Sequence, residues 1–331
     1  MMHLKRITLP AGFAALAISQ AAARPAAPVP VARNGEKPRN VIFILSDDHR
    51  YDFMGFTGAV PWLQTPALDR MAREGACLKN AFVTTSLSSP SRASILTGLF
   101  THTHTVVDNQ APKPDDLVFF PQYLQQNVYR TAFFGKWHMG NQDDMPQPGF
   151  DHWEGFRGQG TYYNTVLNIN GERVKFDPEL YSTDILTDHA IDFVRDNEEG
   201  PFFIYLSYKS VHSGFQPSPS RKGMYKDEKA VYPPSFNVPE YGIPRLPGKD
   251  ADGRPLAGRG WYGESRLPDW VKNQRESWHG VDYQYHGALP YEEDFRNYCE
   301  TVTSMDDAIG RLLDFLQAEG LGESTLVIYM G

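Results

Sequence analysis

Residues 40–49 read Asn-Val-Ile-Phe-Ile-Leu-Ser-Asp-Asp-His. After Asn40, residues 41–45 form an unbroken apolar run, rich in β-branched side chains, that is typical of a parallel strand buried on both faces of its sheet. Asp47 and Asp48 follow at the carboxyl end of that strand, where α/β sheets bind their ligands. Because two adjacent carboxylates repel unless a cation lies between them, they are candidate ligands for Ca²⁺ or Mg²⁺. An N-cap of a following helix is the alternative use of the same two residues.

Strand-like and helix-like patterns alternate along the rest of the chain. Short apolar runs predict strands, and longer amphipathic runs predict helices. Repeated strand–helix units predict a mostly parallel sheet with helices on both faces, so the predicted fold class is α/β. The predicted strands cover residues 77–84, 131–134, 202–206 and 325–329, and the predicted helices cover residues 65–75, 120–127, 183–196 and 292–319.

The amino-terminal part of the chain does not follow this pattern. In residues 1–23, two basic residues precede an apolar run and a stretch of alanines, which is the order of a signal peptide. The run is too short to span a bilayer, so we expect export to the periplasm or beyond. Residues 24–38 are typical of a linker, and residues 39–331 are predicted to form one catalytic domain.

The pattern is also lost from about residue 214 to residue 290, which is rich in Pro, Tyr, Gly and charge. A stretch of this length inside a compact domain is usually a functional lid or a disordered insertion. Its aromatic residues favour an ordered wall over the active site, with packing over the core as the alternative. The aromatic residues are Tyr232, Trp261, Tyr262, Trp270, Trp278, Tyr283 and Tyr285.

Composition excludes some classes of partner. Over 331 residues the formal net charge is −8 and no basic run is present, which argues against nucleic acid. An anion bound by so acidic a chain must meet a local cluster of cations. The two cysteines, Cys77 and Cys299, are too few for a disulfide framework, and we interpret both as buried free thiols.

A second informative stretch, residues 88–98, reads Ser-Ser-Pro-Ser-Arg-Ala-Ser-Ile-Leu-Thr-Gly. Pro90 suits the first turn of a helix, and Gly98 suits the position just past its end. Ser88 would then lie at a helix N-terminus, where free N–H groups and the helix dipole favour an anion. Arg92 adds a guanidinium group that can bind a tetrahedral oxyanion. The alternative is a Ser-rich N-cap on an ordinary surface helix.

Three motifs in this order resemble the type I sulfatases of the alkaline phosphatase superfamily. They are the strand with Asp47-Asp48, residues 88–98, and Gly-Lys-Trp-His-Met-Gly at residues 135–140. The family signature is Cys or Ser, any residue, Pro, Ser and Arg, with a Thr-Gly further on, so the chain resembles a serine-type member. The resemblance runs from about Asn40 to the last residue. It implies an alkaline-phosphatase-like fold, which is a mixed, mostly parallel sheet sandwiched by helices.

The resemblance implies a nucleophile and a metal site. Ser88 would be oxidised to formylglycine by a radical-type maturase, and the hydrate of this aldehyde would attack the sulfur of a sulfate ester. Asp47, Asp48 and the modified Ser88 would hold a metal ion, Ca²⁺ in the first place and Mg²⁺ as the alternative. That ion would act as Lewis acid and template.

Four further residues receive roles from the same resemblance. Arg92 would hold a hydroxyl of the hydrate, and Lys136 would contact the sulfate. His138 would assist the collapse of the intermediate. His212, which follows the predicted 202–206 strand, would donate a proton to the leaving group.

The substrate class is indicated by two segments that are similar to those of N-acetylglucosamine-6-sulfatases. They are residues 97–109, which contain His102, His104 and Asn109, and residues 163–171. The similarity implies a sulfated saccharide, an amino-sugar 6-sulfate or a related polysaccharide sulfate, as the substrate. The two histidines and Asn109 could equally be loop structure.

The family pattern is incomplete at the carboxyl end. In the family an Asp followed by Asn or His completes the metal site after the last strand, and a later Lys binds sulfate. Here the sequence ends at Tyr329-Met330-Gly331, so we expect the C-terminal subdomain to be missing and the metal to be held weakly. Two other functions stay open: a phosphoryl or phosphonate hydrolase that uses unmodified Ser88, and an inactive sugar-binding fragment.

Overall fold

A computed structural model describes residues 38–140, 143–197, 200–233, 268–270 and 291–331. The predicted signal peptide, almost all of the predicted linker and most of the 214–290 insertion lie outside the described residues. Among the aromatic residues predicted to form a wall, Tyr232 and Trp270 are described and exposed, and the others lie outside. The wall therefore stays a prediction.

Apart from residues 77–84, the predicted strands and helices lie close to their predicted positions, and the structure adds further elements between them. The strands are β1 (Asn40–Leu45), β2 (Arg130–Lys136), β3 (His152–Phe156), β4 (Val166–Ile169), β5 (Glu172–Lys175), β6 (Phe202–Ser207) and β7 (Thr325–Met330). The helices are α1 (Pro66–Glu74), α2 (Ser88–Thr97), α3 (Thr101–His104), α4 (Phe120–Gln125), α5 (Ser182–Arg195) and α6 (Tyr291–Ala318).

The seven strands form one sheet in the order β5-β4-β3-β2-β6-β1-β7. Strands β3, β2, β6, β1 and β7 run parallel, whereas β4 and β5 add an antiparallel hairpin at one edge. The apolar run that forms β1 pairs with β6 on one side and β7 on the other. The predicted fold class, a mixed and mostly parallel sheet, is confirmed.

Apolar side chains pack against helices on both faces of this sheet. The alternation along β1 directs Ile42 and Ile44 to one face and Phe43 and Leu45 to the other. The first face is covered by α1, α5 and α6, and the second by α2 and α4. Among the described helices, none is both long and apolar enough to cross a membrane.

Two predictions about residues 77–84 are wrong. The segment forms no strand, and the side chains of Leu78 and Phe82 are exposed. Cys77 is exposed as well, whereas Cys299 is buried as predicted. An apolar run becomes a strand only when a neighbouring strand accepts its hydrogen bonds. No described strand pairs with residues 77–84.

The sequence pattern does not predict β3, although this strand lies beside the site. His152–Phe156 reads His-Trp-Glu-Gly-Phe, so a charged residue and a glycine interrupt the apolar run. In the structure Glu154 is buried, because hydrogen bonds to His152 and His189 satisfy both of its oxygens. A partner on the same strand and one on α5 thus allow a carboxylate inside the sheet.

Candidate active site

The carboxyl ends of β1, β2 and β6 bring the predicted site residues to one edge of the sheet. Leu45 of β1 lies opposite Ser207 of β6, and Gly135 of β2 lies opposite the same serine. The predicted residues at or just after these positions are Asp47, Asp48, Lys136, His138 and His212. Parallel pairing in this register explains how residues far apart in sequence meet.

Lys136 is fully buried at the end of β2 and makes the central contacts of the site. Its ammonium group donates to Asp47 Oδ2 and to Gln159 Oε1, and it lies 3.3 Å from Ser88 Oγ. Burial, with Arg92 adding to it, lowers the pKa of Lys136 to about 8, although Asp47 opposes the shift. Lys136 therefore stays mostly protonated at neutral pH, surrounded by oxygen atoms.

Asp47 and Arg92 complete a buried cluster of charges around Lys136. Arg92 Nη2 lies 3.3 Å from Asp47 Oδ1, and Arg92 Nη1 donates to the Lys136 carbonyl at 2.7 Å and to Ser207 Oγ at 2.6 Å. Burial alone would raise the pKa of Asp47, but Lys136 and Arg92 outweigh burial and hold this pKa well below its ordinary value. Asp47 is therefore ionised although it is buried.

Helix α2 begins at Ser88 and ends before Gly98, as the motif predicts. Gly98 has a φ of 70°, in the left-handed region that favours glycine. Asn109 Oδ1 accepts a hydrogen bond of 2.9 Å from the Ser89 N–H group and so satisfies one free donor of the first turn. Because the N-cap position belongs to Leu87, Ser88 is not an ordinary cap, and its hydroxyl faces Lys136 instead.

A cavity of about 290 Å³ lies beside this helix start, and Asp47, Asp48, Ser88 and Arg92 line it. The side chain of Asp48 is 47% exposed, and its φ of 61° lies in the left-handed region. Partial burial and, after it, the charge of Asp47 raise the pKa of Asp48. A cation between the two carboxylates would relieve this repulsion.

The two predicted histidines lie next to the buried charges. His212 Nε2 is 3.6 Å from Asp48 Oδ2. His138 is buried, and its Nδ1 has no hydrogen-bond partner among the described residues. Burial, with Lys136 adding to it, lowers the pKa of His138 to about 3 and that of His212 to about 4. Both imidazoles are therefore neutral near pH 7.

The donor set fits a hard cation in part. Asp47, Asp48 and Ser88 supply oxygen atoms to one cavity, and oxygen ligands are those that Ca²⁺ and Mg²⁺ prefer. The Lys136 ammonium group already places a positive charge between Asp47 and Ser88. Within the described ranges no three His, Cys, Asp or Glu side chains are arranged to hold a metal. Among the predicted metal ligands, two carboxylates and one hydroxyl line the cavity.

Four residues of the site are not predicted by the sequence: Gln159, Tyr162, Ser207 and Lys209. Gln159 and Tyr162 follow β3, so without that strand there was no signal that its carboxyl end belongs to the site. Ser207 and Lys209 lie at and just after the end of β6. Polar residues at the end of a buried strand were the signal that could have found these two.

The residues from the 97–109 segment have structural contacts. His104 Nε2 lies 3.0 Å from Ser94 Oγ, and His104 Nδ1 accepts a hydrogen bond of 3.1 Å from the Val106 N–H group. Asn109 holds the start of α2, and His102 is exposed. For His104 and Asn109 the geometry therefore favours a structural role in this segment over a contact with the substrate.

An anion at the N-terminus of α2 would meet Lys136 and Arg92 at the carboxyl edge of a parallel sheet. Such an arrangement is typical of the class of α/β proteins that bind an oxyanion at their strand ends. More specifically, the chain belongs to the Sulfatase family, whose sequence model matches residues 39–331.

Similar proteins agree with this assignment. An N-acetylglucosamine-6-O-sulfatase of Bacteroides thetaiotaomicron is 31% identical over 330 residues, which are 88% of this chain and 57% of that protein. An extracellular sulfatase SULF-1 homologue of Drosophila melanogaster is 25% identical over 311 residues, 89% of this chain and 25% of that protein. One similar solved structure contains a protein in complex with its substrate D-glucosamine-2-N,6-O-disulfate. That protein is 29% identical to this chain in sequence, and the two structures superpose with a TM-score of 0.68 over 88% of this chain and 64% of that chain. The chain therefore spans less than two thirds of each relative.

Proposed function

We propose that this chain carries the catalytic region of a formylglycine-dependent sulfatase, a sulfuric ester hydrolase that acts on a carbohydrate sulfate. The observation that carries the proposal is the 3.3 Å approach of Ser88 Oγ to Lys136 Nζ at the N-terminus of α2. Lys136 and the free N–H groups of α2 would stabilise the charge of a sulfate ester placed against Ser88. Membership of the Sulfatase family supports the reaction class.

Ser88 acts after oxidation to formylglycine. The CH₂–OH group of Ser88 loses two hydrogen atoms to the oxidant of a radical-type maturase, and the resulting aldehyde adds water to form a geminal diol. An unmodified serine would end as a sulfated serine with no easy release. The diol solves this problem, because loss of a proton from its second hydroxyl re-forms the C=O bond and expels sulfate.

The side chains of the site divide the remaining work. One diol hydroxyl gives its proton to the Asp48 carboxylate, which lines the same cavity, and its oxygen attacks sulfur. The bond from sulfur to the sugar oxygen breaks, and His212 gives that oxygen a proton. An anionic ester bound beside His212 would raise its pKa from about 4, so that the imidazole can carry this proton. Neutral His138 accepts the proton of the second hydroxyl. Arg92 and Lys136 hold the diol and the sulfate.

A divalent cation, Ca²⁺ in the first place, is the proposed cofactor. Asp47, Asp48 and the modified Ser88 would hold it, since all three line one cavity. When bound, the ion supplies Lewis-acid stabilisation of the charge on the sulfate oxygens. Partial burial and the charge of Asp47 raise the pKa of Asp48. This repulsion between the two carboxylates supports a cation between them.

The proposed substrate is an amino-sugar 6-sulfate or a related polysaccharide sulfate. The name of the Bacteroides relative and the substrate bound in the similar solved structure support this class. We also propose export to the periplasm or the outside, which the predicted signal peptide and the name of the Drosophila relative support. A radical-type maturase and the sulfated saccharide are then the expected partners.

Co-expression with a radical-type maturase tests the nucleophile. Mass spectrometry of the peptide that carries Ser88 should show the loss of two hydrogen atoms, and the protein should release sulfate from N-acetylglucosamine 6-sulfate. In Ser88→Ala, kcat/KM should fall on the order of 10³-fold or more, because the attacking group is removed.

Ser94→Ala is the matched control, because Ser94 lies on the same helix and its hydroxyl contacts His104 rather than Lys136. This variant should keep its activity. Full sulfatase activity in Ser88→Ala would refute the assignment of the nucleophile. Hydrolysis of a phosphate or phosphonate ester by protein with unmodified Ser88 would favour a phosphoryl hydrolase instead.

A further inference from the structure

Tyr162 holds the main chain of His212, the residue to which the proposed reaction assigns a proton. Tyr162 lies between β3 and β4, and its hydroxyl donates a hydrogen bond of 2.8 Å to the His212 carbonyl. On the other side, the His212 N–H group donates to the Lys209 carbonyl at 2.9 Å. The peptide groups on both sides of the His212 Cα are therefore tied to neighbours.

The ring of Tyr162 is itself fixed by packing. It is 2% exposed, and it stacks on Tyr181 with a centroid distance of 6.0 Å and an interplanar angle of 9°. The Lys209 ammonium group lies 4.9 Å from its centroid, and the Tyr162 carbonyl accepts a hydrogen bond of 2.8 Å from the Ser182 N–H group. Tyr162 thus connects the start of α5 to the loop after β6.

The imidazole of His212 is held less firmly than its main chain. Its Nε2 lies 3.6 Å from Asp48 Oδ2, which is longer than a hydrogen bond, and its Nδ1 lies 3.3 Å from Ser213 Oγ. The direction in which the ring points therefore depends on the backbone that carries it.

From these contacts we infer that Tyr162 is a positioning residue, which sets the place where His212 delivers its proton. The inference rests on the proposed function. Misplacement of a catalytic group by about 1 Å can cost on the order of 10²-fold in rate, so a single main-chain hydrogen bond can matter. Because Tyr162 acts through His212, its effect should be confined to substrates that need the proton.

Two substrates separate this role from a general structural one. A sugar alkoxide is a poor leaving group and needs a proton, whereas 4-nitrophenolate leaves as a stable anion and needs it far less. Tyr162→Phe removes the hydroxyl and keeps the ring. In the matured enzyme, kcat for N-acetylglucosamine 6-sulfate should fall about 10-fold with KM nearly unchanged, and kcat for 4-nitrophenyl sulfate should fall less than about twofold.

Tyr129→Phe is the matched control. Tyr129 is also buried, and its hydroxyl donates a hydrogen bond of 2.8 Å to the Arg39 carbonyl, just before the amino ends of β1 and β2. The Tyr129→Phe variant should leave kcat for both substrates unchanged. Equal losses on the two substrates in Tyr162→Phe would overturn the inference. So would unfolding of Tyr162→Phe under conditions in which Tyr129→Phe stays folded.

A double variant provides a second test. In a His212→Ala background, the addition of Tyr162→Phe should change kcat for the sugar sulfate by less than about twofold, since the residue to be positioned is gone. A further loss of about 10-fold would show that Tyr162 acts independently of His212.

Failure of the proposed function would give a different result. The matured wild-type protein would then release sulfate from neither substrate, before any Tyr162 variant is compared. Wild-type activity together with unchanged kinetics in Tyr162→Phe would remove the inference and leave the proposed function standing.

Discussion

At the scale of single residues, the charge balance of the site depends on Asp47. Its buried carboxylate lies between Lys136 and Arg92, and its own main chain bonds to the Ser210 carbonyl at 2.8 Å and the Val211 N–H group at 2.7 Å. A buried charge costs several kcal/mol, and opposite charges offset that cost only while all partners are present. Removal of the carboxylate would leave two buried cations facing each other.

Asp47→Asn should therefore destabilise the fold by about 3 kcal/mol, in chemical denaturation at neutral pH. Addition of Lys136→Met to Asp47→Asn should recover at least about 1 kcal/mol, because one of the two unpaired cations is removed. The control is Asp192→Asn, which breaks an exposed pair with Arg195 at 2.8 Å and should cost less than about 1 kcal/mol. Equal stability of Asp47→Asn and Asp192→Asn would contradict this account.

At the scale of elements, a carboxylate between two histidines connects β3 to α5. Glu154 Oε1 lies 2.8 Å from His152 Nε2 of the same strand, and Glu154 Oε2 lies 2.5 Å from His189 Nδ1 of α5. The hydrogen bond to Glu154 raises the pKa of His189 above its ordinary value, although partial burial opposes the shift. Burial would raise the pKa of Glu154, but the two histidines lower it.

This contact should make stability depend on pH. Since the pKa of His189 is raised in the folded state from about 6.5, the stabilisation is fully present below that value and is lost as pH rises through the folded pKa. Thermal denaturation should show that Glu154→Gln loses more stability relative to wild type at about pH 6 than at about pH 9. The exposed Glu172→Gln on β5 should show no such difference. A loss in Glu154→Gln that does not change with pH would mean that the contact contributes packing alone.

At the scale of the whole molecule, the site lies at the ends of β1 and β7, two neighbouring strands that are far apart in sequence. Strand β7 pairs in parallel with β1, so Met330 and Gly331 line the same cavity as Asp48 and Ser88. The charged residues that line this cavity include Asp47 and Asp48, just after β1, and Arg92 of α2. A ligand bound there contacts several elements at once, so its binding is linked to the stability of the whole sheet.

Ca²⁺ should therefore raise the melting temperature. A ligand that binds the folded state at 100 times its Kd stabilises it by about 2.7 kcal/mol, which corresponds to a rise of roughly 5 °C for a chain of this size. Asp48→Asn should abolish this rise, whereas Asp314→Asn, at a carboxylate that is 76% exposed and pairs with Arg70, should keep it. The metal assignment fails if Ca²⁺ and Mg²⁺ both leave the wild-type melting temperature unchanged.

Local patterns in the sequence were sufficient for several parts of this protein. The apolar run before Asp47 predicts the buried β1, and Pro90 and Gly98 predict the extent of α2. These features depend on the size, polarity and backbone preference of residues that are adjacent in sequence, so the sequence alone is enough to predict them. The candidate residues from Asp47 to His212 could be named because the motifs that carry them resemble those of the type I sulfatases.

Contacts between distant residues were decided only by the tertiary structure. The local pattern of apolar and polar residues predicts neither the contact of Lys136 with Gln159 nor the hydrogen bond from Tyr162 to His212. Both depend on the order β3-β2-β6-β1, which brings the loop after β3 beside the ends of β2 and β6. Hydrophobicity specifies that a strand is buried but not which strand lies next to it, since that choice is made by packing and hydrogen bonding over the whole sheet.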